Sequence, residues 1–127
     1  MKFFIGLMIC LTTICSCTNQ RYVETDLYFG LSKPDGGIID EKNWNDFMAN
    51  KIAKVYPNGF TLLKGDGDWQ DTSSKKMIQE PSRVIISINK MNHLFSLKID
   101  QLRTDYKKLF NQQAVLRVDK KVKSVTF

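Results

Sequence analysis

At 127 residues, 43% hydrophobic and with a formal net charge of +6, the chain suffices for one domain with a packed core. Its three cysteines, Cys10, Cys15 and Cys17, all precede residue 18. The folded part therefore has no disulfide, thiol nucleophile or cysteine metal site, and packing must hold it.

Residues 1–16 read as a signal peptide. Lys2 supplies a positive start and Phe3 to Leu11 a short apolar run, well under the about 20 apolar residues of a membrane-spanning helix. Ile14-Cys15-Ser16-Cys17 has the pattern of a bacterial lipobox, with Cys17 as the lipidated, palmitate-bearing residue. The other reading is an ordinary secretory leader with an incidental cysteine. Residues 17–24 then form a polar, lipidated tether, and residues 25–127 form the domain. The expected location is the cell envelope, at the outer membrane or its periplasmic face. Thr18 stands where an aspartate would signal inner-membrane retention. The membrane is thus a partner through the lipid, and export argues against nucleic acid. Removing Lys2 from the 19 basic residues leaves 18 against 13 acidic, a mature charge of +5. Residues 101–127 hold seven basic and two acidic groups, so this end carries the whole excess. It is a solvated basic surface or a site for anionic lipid.

The elements follow in order. Thr25 to Lys33 alternates as a strand, with Leu27, Phe29 and Leu31 on one side and Tyr28, Gly30 and Ser32 on the other. Pro34-Asp35-Gly36-Gly37 is a turn. Asp40 caps a helix, with Ile39 and Trp44 as a hydrophobic staple. Trp44, Phe47, Met48, Ile52 and Val55 form its apolar stripe, and Pro57-Asn58-Gly59 stops it. Phe60 to Lys64 is a second strand, followed by a long, mobile connection from Gly65 to Pro81. Arg83 to Asn89 is the most strand-like run: Val84, Ile86 and Ile88 make an apolar side for the helices, and Arg83, Ile85 and Ser87 a mixed one. Asn92 caps a helix with Phe95, Ile99, Leu102, Tyr106 and Leu109 inward, and Asn111 ends it. Ala114 to Val118 is the last strand. The order β-α-β-β-α-β predicts an α+β, ferredoxin-like sandwich: four antiparallel strands, the first and third central, with two helices on one face.

Separated blocks also resemble a bacterial family. Leu27-Tyr28-Phe29-Gly30, Pro34-Asp35-Gly36-Gly37, Trp44-x-x-Phe47, Tyr56-Pro57-Asn58-Gly59-Phe60-Thr61, Trp69, Glu80-Pro81-Ser82 and Phe110-x-Gln112-x-x-Val115-Leu116-Arg117-Val118 are similar to the family called domain of unknown function 3574. The resemblance runs from about Thr25 to Val125, with Asn111 where a glycine is expected. It implies a secreted or lipoprotein setting and no established activity. More distantly, it implies kinship with dimeric α/β-barrel proteins.

Helices on one sheet face leave the other bare. Alternation assigns it Tyr28, Gly30, Ser32, Thr61, Leu63, Arg83, Ile85, Ser87, Val115 and Arg117, a set too apolar for water and too polar for a dry core. A second subunit over it would enclose a small-ligand site. Arg83 and Arg117 would hold an anionic or carbonyl group, unless both are rim residues paired with Glu80 or Asp119. Trp69 would close over the site or simply pack. Glu80 and Tyr28 are an acid–base pair if they meet. Asp66, Asp68 and Asp71 fail the calcium-loop pattern. His93 has no second histidine to complete a metal site or triad. No metal, cofactor, phosphate-loop or nucleophile-elbow signature appears. The leading expectation is a non-enzymatic, lipid-anchored binding or dimerisation module. The alternative is a cofactor-independent enzyme of the dimeric α/β-barrel type acting on a small organic molecule.

Overall fold

The structure is a computed structural model that describes residues 21–71 and 73–126. Residues 1–16, expected to be a signal peptide, and Cys17 lie outside the described residues. Strand β1 is Tyr22–Gly30, β2 Thr61–Gln70, β3 Met77–Lys90 and β4 Leu116–Lys121. The first helical segment comprises α1 (Glu41–Phe47), a π-helical turn (Met48–Ile52) and α2 (Ala53–Val55); the second is α3 (His93–Phe110). The strands lie in the order β2-β3-β1-β4, every neighbouring pair antiparallel. Two β-α-β units interlock, and β1 and β3 take the centre: this is the ferredoxin-like sandwich.

Local chemistry sets the helix ends. Asp40 accepts from the Asn43 amide at 2.7 Å, and Ile39 and Trp44 are both buried beside that cap. Asn92 accepts from the Phe95 amide at 2.8 Å, and Asn111 ends α3 in the left-handed region, at φ 54°. The first helix is not one regular stripe. The π turn inserts a residue, so Ile52, five positions after Phe47, is the next buried side chain, and Met48 only packs against the core. In α3 the inward residue after Tyr106 is Phe110, four positions on; Leu109 is 63% exposed. Phe29 sits at the centre of an aromatic cluster, with its ring centroid 4.8 Å from Tyr106, 5.4 Å from Trp44 and 6.2 Å from Phe47.

Strand bounds differ from the alternation reading. β1 begins at Tyr22, inside the stretch expected to be tether, and Ser32 makes only an isolated bridge to Ile38. The expected mobile connection after Lys64 is instead a continuous ladder, Thr61 through Gln70 paired to Ile86 through Met77. Its turn is closed by Asp71, whose Oδ1 accepts from the Ser73 and Ser74 amides. β4 starts two residues later than expected and runs to Lys121.

Pro81 marks where β1 leaves β3. The Leu31 amide donates to the Pro81 carbonyl at 3.0 Å, but proline has no N–H to return to Leu31. The Leu31 carbonyl accepts instead from the Ile39 amide at 2.8 Å. Beyond Ser82, β2 and β3 therefore continue as a two-stranded ribbon.

The face of β3 is the reverse of that expected. Leu27 pairs with Ile85 and Phe29 with Arg83, and residues opposite one another share a side. Ile85, Arg83 and Ser87 thus lie under the helices, all buried, and Val84, Ile86 and Ile88 face away. Leu27 also pairs with Arg117, which carries Arg117 to the helix side, where Val115 is buried as well. Alternation divides a strand into two sides but does not say which is inward, and Arg83 and Arg117 lay apolar stems along the core.

Phe29→Ala should cost about 3–5 kcal/mol in urea unfolding, whereas Leu109→Ala should cost under about 0.5 kcal/mol. Burial also pushes the Tyr56 phenol up to about 12. The Ser87 hydroxyl beside it offsets the rise in part, yet neither oxygen meets a partner at hydrogen-bond geometry. The folded state holds that proton more tightly than the unfolded chain, so this contribution is complete below about pH 10 and lost as pH rises through about 12. Tyr56→Phe should flatten that alkaline loss in denaturant titrations, with neutral-pH stability unchanged or higher.

Candidate functional site

Pairing lays out the open face in rows. Tyr28, Val84, Leu63 and Leu116 form one row across the four strands; Asp26, Ile86, Thr61 and Val118 form the next. Toward the ribbon, Gly30, Ser82 and Gly65 align, then Glu80 opposite Gly67, then Ile78 opposite Trp69. Gly65 and Gly67 contribute no side chain and have open space above them, so the sheet surface dips there into a trough, while the Glu80 carboxylate fills the space over Gly30. Ser82 and Glu80 form its floor, Tyr28 and Leu63 bound one end, and Trp69 bounds the other. Tyr28, Leu63 and Trp69 are all exposed.

Glu80 is held in place. Its Oε2 accepts from the Ser32 amide at 3.2 Å. A Cβ on Gly30 would stand 2.7 Å from Glu80 Oε1, so only glycine lets the carboxylate lie across β1 here. From the helix side the Tyr106 hydroxyl donates to the Gly30 carbonyl at 2.7 Å. Burial, and then the negative charge of Glu80, push the Tyr106 phenol well above its usual range. Ser82 Oγ donates to the Gly65 carbonyl at 3.2 Å, facing the empty sides of Gly65 and Gly67.

A second polar feature interrupts the apolar rows. Asp26 is only 3% exposed; its Oδ2 accepts from Lys120 Nζ at 2.7 Å and its Oδ1 has no partner. Lys120 also donates to Glu24 at 3.0 Å. The Asp26 bond first, then Glu24, hold the ammonium well above its usual range.

The structure divides the sequence-derived candidates. Tyr28, Trp69 and Glu80 frame the trough, and Ser32 supports it through its amide. Arg83 and Arg117 do not reach it. Arg83, 7% exposed, pairs with Glu41 of α1 and donates to the Ser82 carbonyl at 3.2 Å from the helix side. Arg117 ties β4 to α3, donating to Asp100 at 3.1 Å, Ser96 Oγ at 3.1 Å and Asp119. Burial would raise the Asp100 carboxyl, but bonds from Arg103 and Arg117 outweigh it and hold it below the usual range. Two guanidinium groups expected to bind ligand are thus structural clamps. Sequence reasoning missed Ser82, Asp26, Lys120 and the glycine gap. The signal for the gap was Gly65-x-Gly67 at a spacing of two, which empties one side of a strand. A shallow hollow of about 400 Å³ at the end of α3, lined by Lys107, Lys108 and Gln112 among others, has no buried polar group to orient a ligand.

Gly30→Ala should displace Glu80 from the Ser32 amide and cost about 1–2 kcal/mol by chemical denaturation. On a Glu80→Ala background Gly30→Ala should add little further cost, because the obstructing carboxylate and its bond to the Ser32 amide are already gone. Additive costs would show that the two do not touch.

No functionally curated protein matches the chain. Among solved structures, it is similar to a phage SAM lyase in complex with S-methyl-5'-thioadenosine, with 19% identity, TM-score 0.64, and 91% of this chain and 88% of the lyase covered. The phage SAM lyase in its apo state aligns with 17% identity and TM-score 0.60, over 91% of this chain and 87% of the other. At such identities the likeness is one of fold. The profile of the family described as "Protein of unknown function (DUF3574)" matches residues 24–127. The chain belongs to that family.

Proposed function

We propose that the chain is a ligand-binding domain that works through the open face of its sheet, with the trough between Tyr28 and Trp69 as the site. The trough itself carries this reading. It joins a side-chain-free gap, a positioned carboxylate, a hydroxyl and two exposed aromatic rings, which is the make-up of a small-molecule site rather than of a packed core. Its chemistry suits a ligand with a flat ring, to lie against Tyr28 or Trp69, and a cationic or hydrogen-donating group, to meet Glu80. SAM has both, an adenine ring and a sulfonium cation. The fold likeness to a phage SAM lyase makes adenosyl thioethers and sulfoniums the first class to test. That likeness also favours a second reading, a cofactor-independent enzyme acting on the same ligand, with Glu80 as the positioned carboxylate. In either case the lipid on Cys17 would tether the domain at the cell envelope; palmitate labelling lost in Cys17→Ala tests the tether.

Titration calorimetry with SAM and with S-methyl-5'-thioadenosine should show saturable binding. Glu80→Gln should weaken SAM by about tenfold or more, and Lys121→Ala should leave it unchanged. Release of S-methyl-5'-thioadenosine from SAM, absent in Glu80→Gln, would select the enzyme reading. No heat and no thermal shift with either compound would sink the assignment of ligand class.

A further inference from the structure

One end of the domain, remote from the trough, gathers several chain segments. The Met91 amide, just after β3, donates to the Arg21 carbonyl at 3.2 Å, and the Val122 amide, just after β4, donates to the Tyr22 carbonyl at 3.0 Å. The start of β1, the ends of β3 and β4 and the first turns of α3 therefore share one surface. Arg21, Lys90, Lys98, Lys121 and Lys123 are exposed there, and none is ion-paired among the described residues. Leu94 and Leu97 stand among them, 70% and 51% exposed. We propose that this end of the domain is a docking surface for a lipid bilayer bearing anionic headgroups.

The first support is the mixture of side chains. Leu94 and Leu97 are one turn apart on the same flank of α3. Leucines ringed by cations suit the boundary of a bilayer, where the apolar groups enter the acyl edge and the ammonium groups meet headgroup phosphates. Lys90 Nζ lies 5.7 Å from the Tyr22 ring centroid, which adds an aromatic of the kind favoured at that boundary. The second support is charge. The nearest carboxylates do not cancel it: Glu24 and Asp26 both engage Lys120, and Asp119 engages Arg117. The surface is also not the basic end that residues 101–127 suggest. Lys107 and Lys108 sit in the last turn of α3, about 20 Å along the helix from Leu94. The third support is reach, and it rests on the tether reading. Cys17 is four residues before Arg21, at most about 14 Å of extended chain. A lipid there would hold this end of the domain against the bilayer. β1 then runs away from it, Tyr22 to Gly30, a rise of about 27 Å. The trough would open at the far end, clear of the headgroups.

The test is made on the full chain, reconstituted on vesicles of phosphatidylcholine and phosphatidylglycerol whose acyl chains are brominated to quench tryptophan on contact. Trp44 is buried and Trp69 lies beyond the trough, so the parent chain supplies a low background. Leu97→Trp should add quenching over the parent. Leu109→Trp, exposed at the other end of α3, should not. The added quenching should be lost on phosphatidylcholine alone, in high salt, and when Lys90→Glu, Lys98→Glu and Lys121→Glu accompany Leu97→Trp, with an unchanged urea midpoint to show that this variant folds. A chain that stays on the vesicles with no added quenching at position 97, with equal quenching at position 109, or with the same quenching on neutral lipid overturns the docking surface and leaves the tether standing. Palmitate labelling unchanged by Cys17→Ala, with charge-dependent quenching still present, removes the tether and keeps the surface.

Discussion

Leu27 faces Ile85 across β1 and β3, and both side chains are fully buried. In an antiparallel sheet one such pairing decides the side of every residue on every strand. It places Phe29 in the aromatic cluster and sends Tyr28 the other way. It also drives Arg83 and Arg117 inward, where a guanidinium is tolerated only with acceptors around it. Glu41, Asp100, Asp119 and Ser96 supply them. The ion pairs linking helices to sheet are thus consequences of register. The same register strips the open face of both arginines and leaves it apolar, with carboxylates as its principal charged groups.

The trough is a second consequence, produced by subtraction. A sheet surface is normally paved by side chains at every second residue. Here three pavers are glycine, on two strands that flank Ser82. The Glu80 carboxylate occupies part of that space and is fixed by an amide, so it is already oriented before any ligand arrives. Preorganisation of this sort reduces the ordering cost of binding. The likeness to phage SAM lyases is one of fold alone, and the chemistry argued for the trough rests on this chain's own residues.

Much of this was legible before the structure. The element order, the interlocked topology, both helix caps and the inward face of β1 follow from capping residues and apolar spacing. What was not legible came from pairing. Arg83-Val84-Ile85-Ile86-Ser87-Ile88 has an aliphatic residue on both sides of the strand, so alternation alone cannot orient it. Asp66 and Asp68 beside glycines look like loop, and only the facing strand makes them ladder. The π turn is invisible to a 3.6-residue template because it shifts the stripe by one residue. Of the residues singled out from the sequence, Tyr28, Glu80 and Trp69 share the open side of the sheet, as their pairing shows. The arginines were misplaced because charge suggested solvent where register required the core.

Pro81 sits in the middle of the longest strand and withholds a single hydrogen. The segment from Ser32 to Ile38 therefore closes on itself, and the flank of β3 beyond that point stays free of a neighbour. A bare strand flank is a template for fibre growth. This one begins with a residue unable to donate and continues into Glu80, while the opposite flank carries Lys64, Asp66 and Asp68 between glycines. The protruding ribbon can therefore present aromatic surface without inviting runaway polymerisation along its edges.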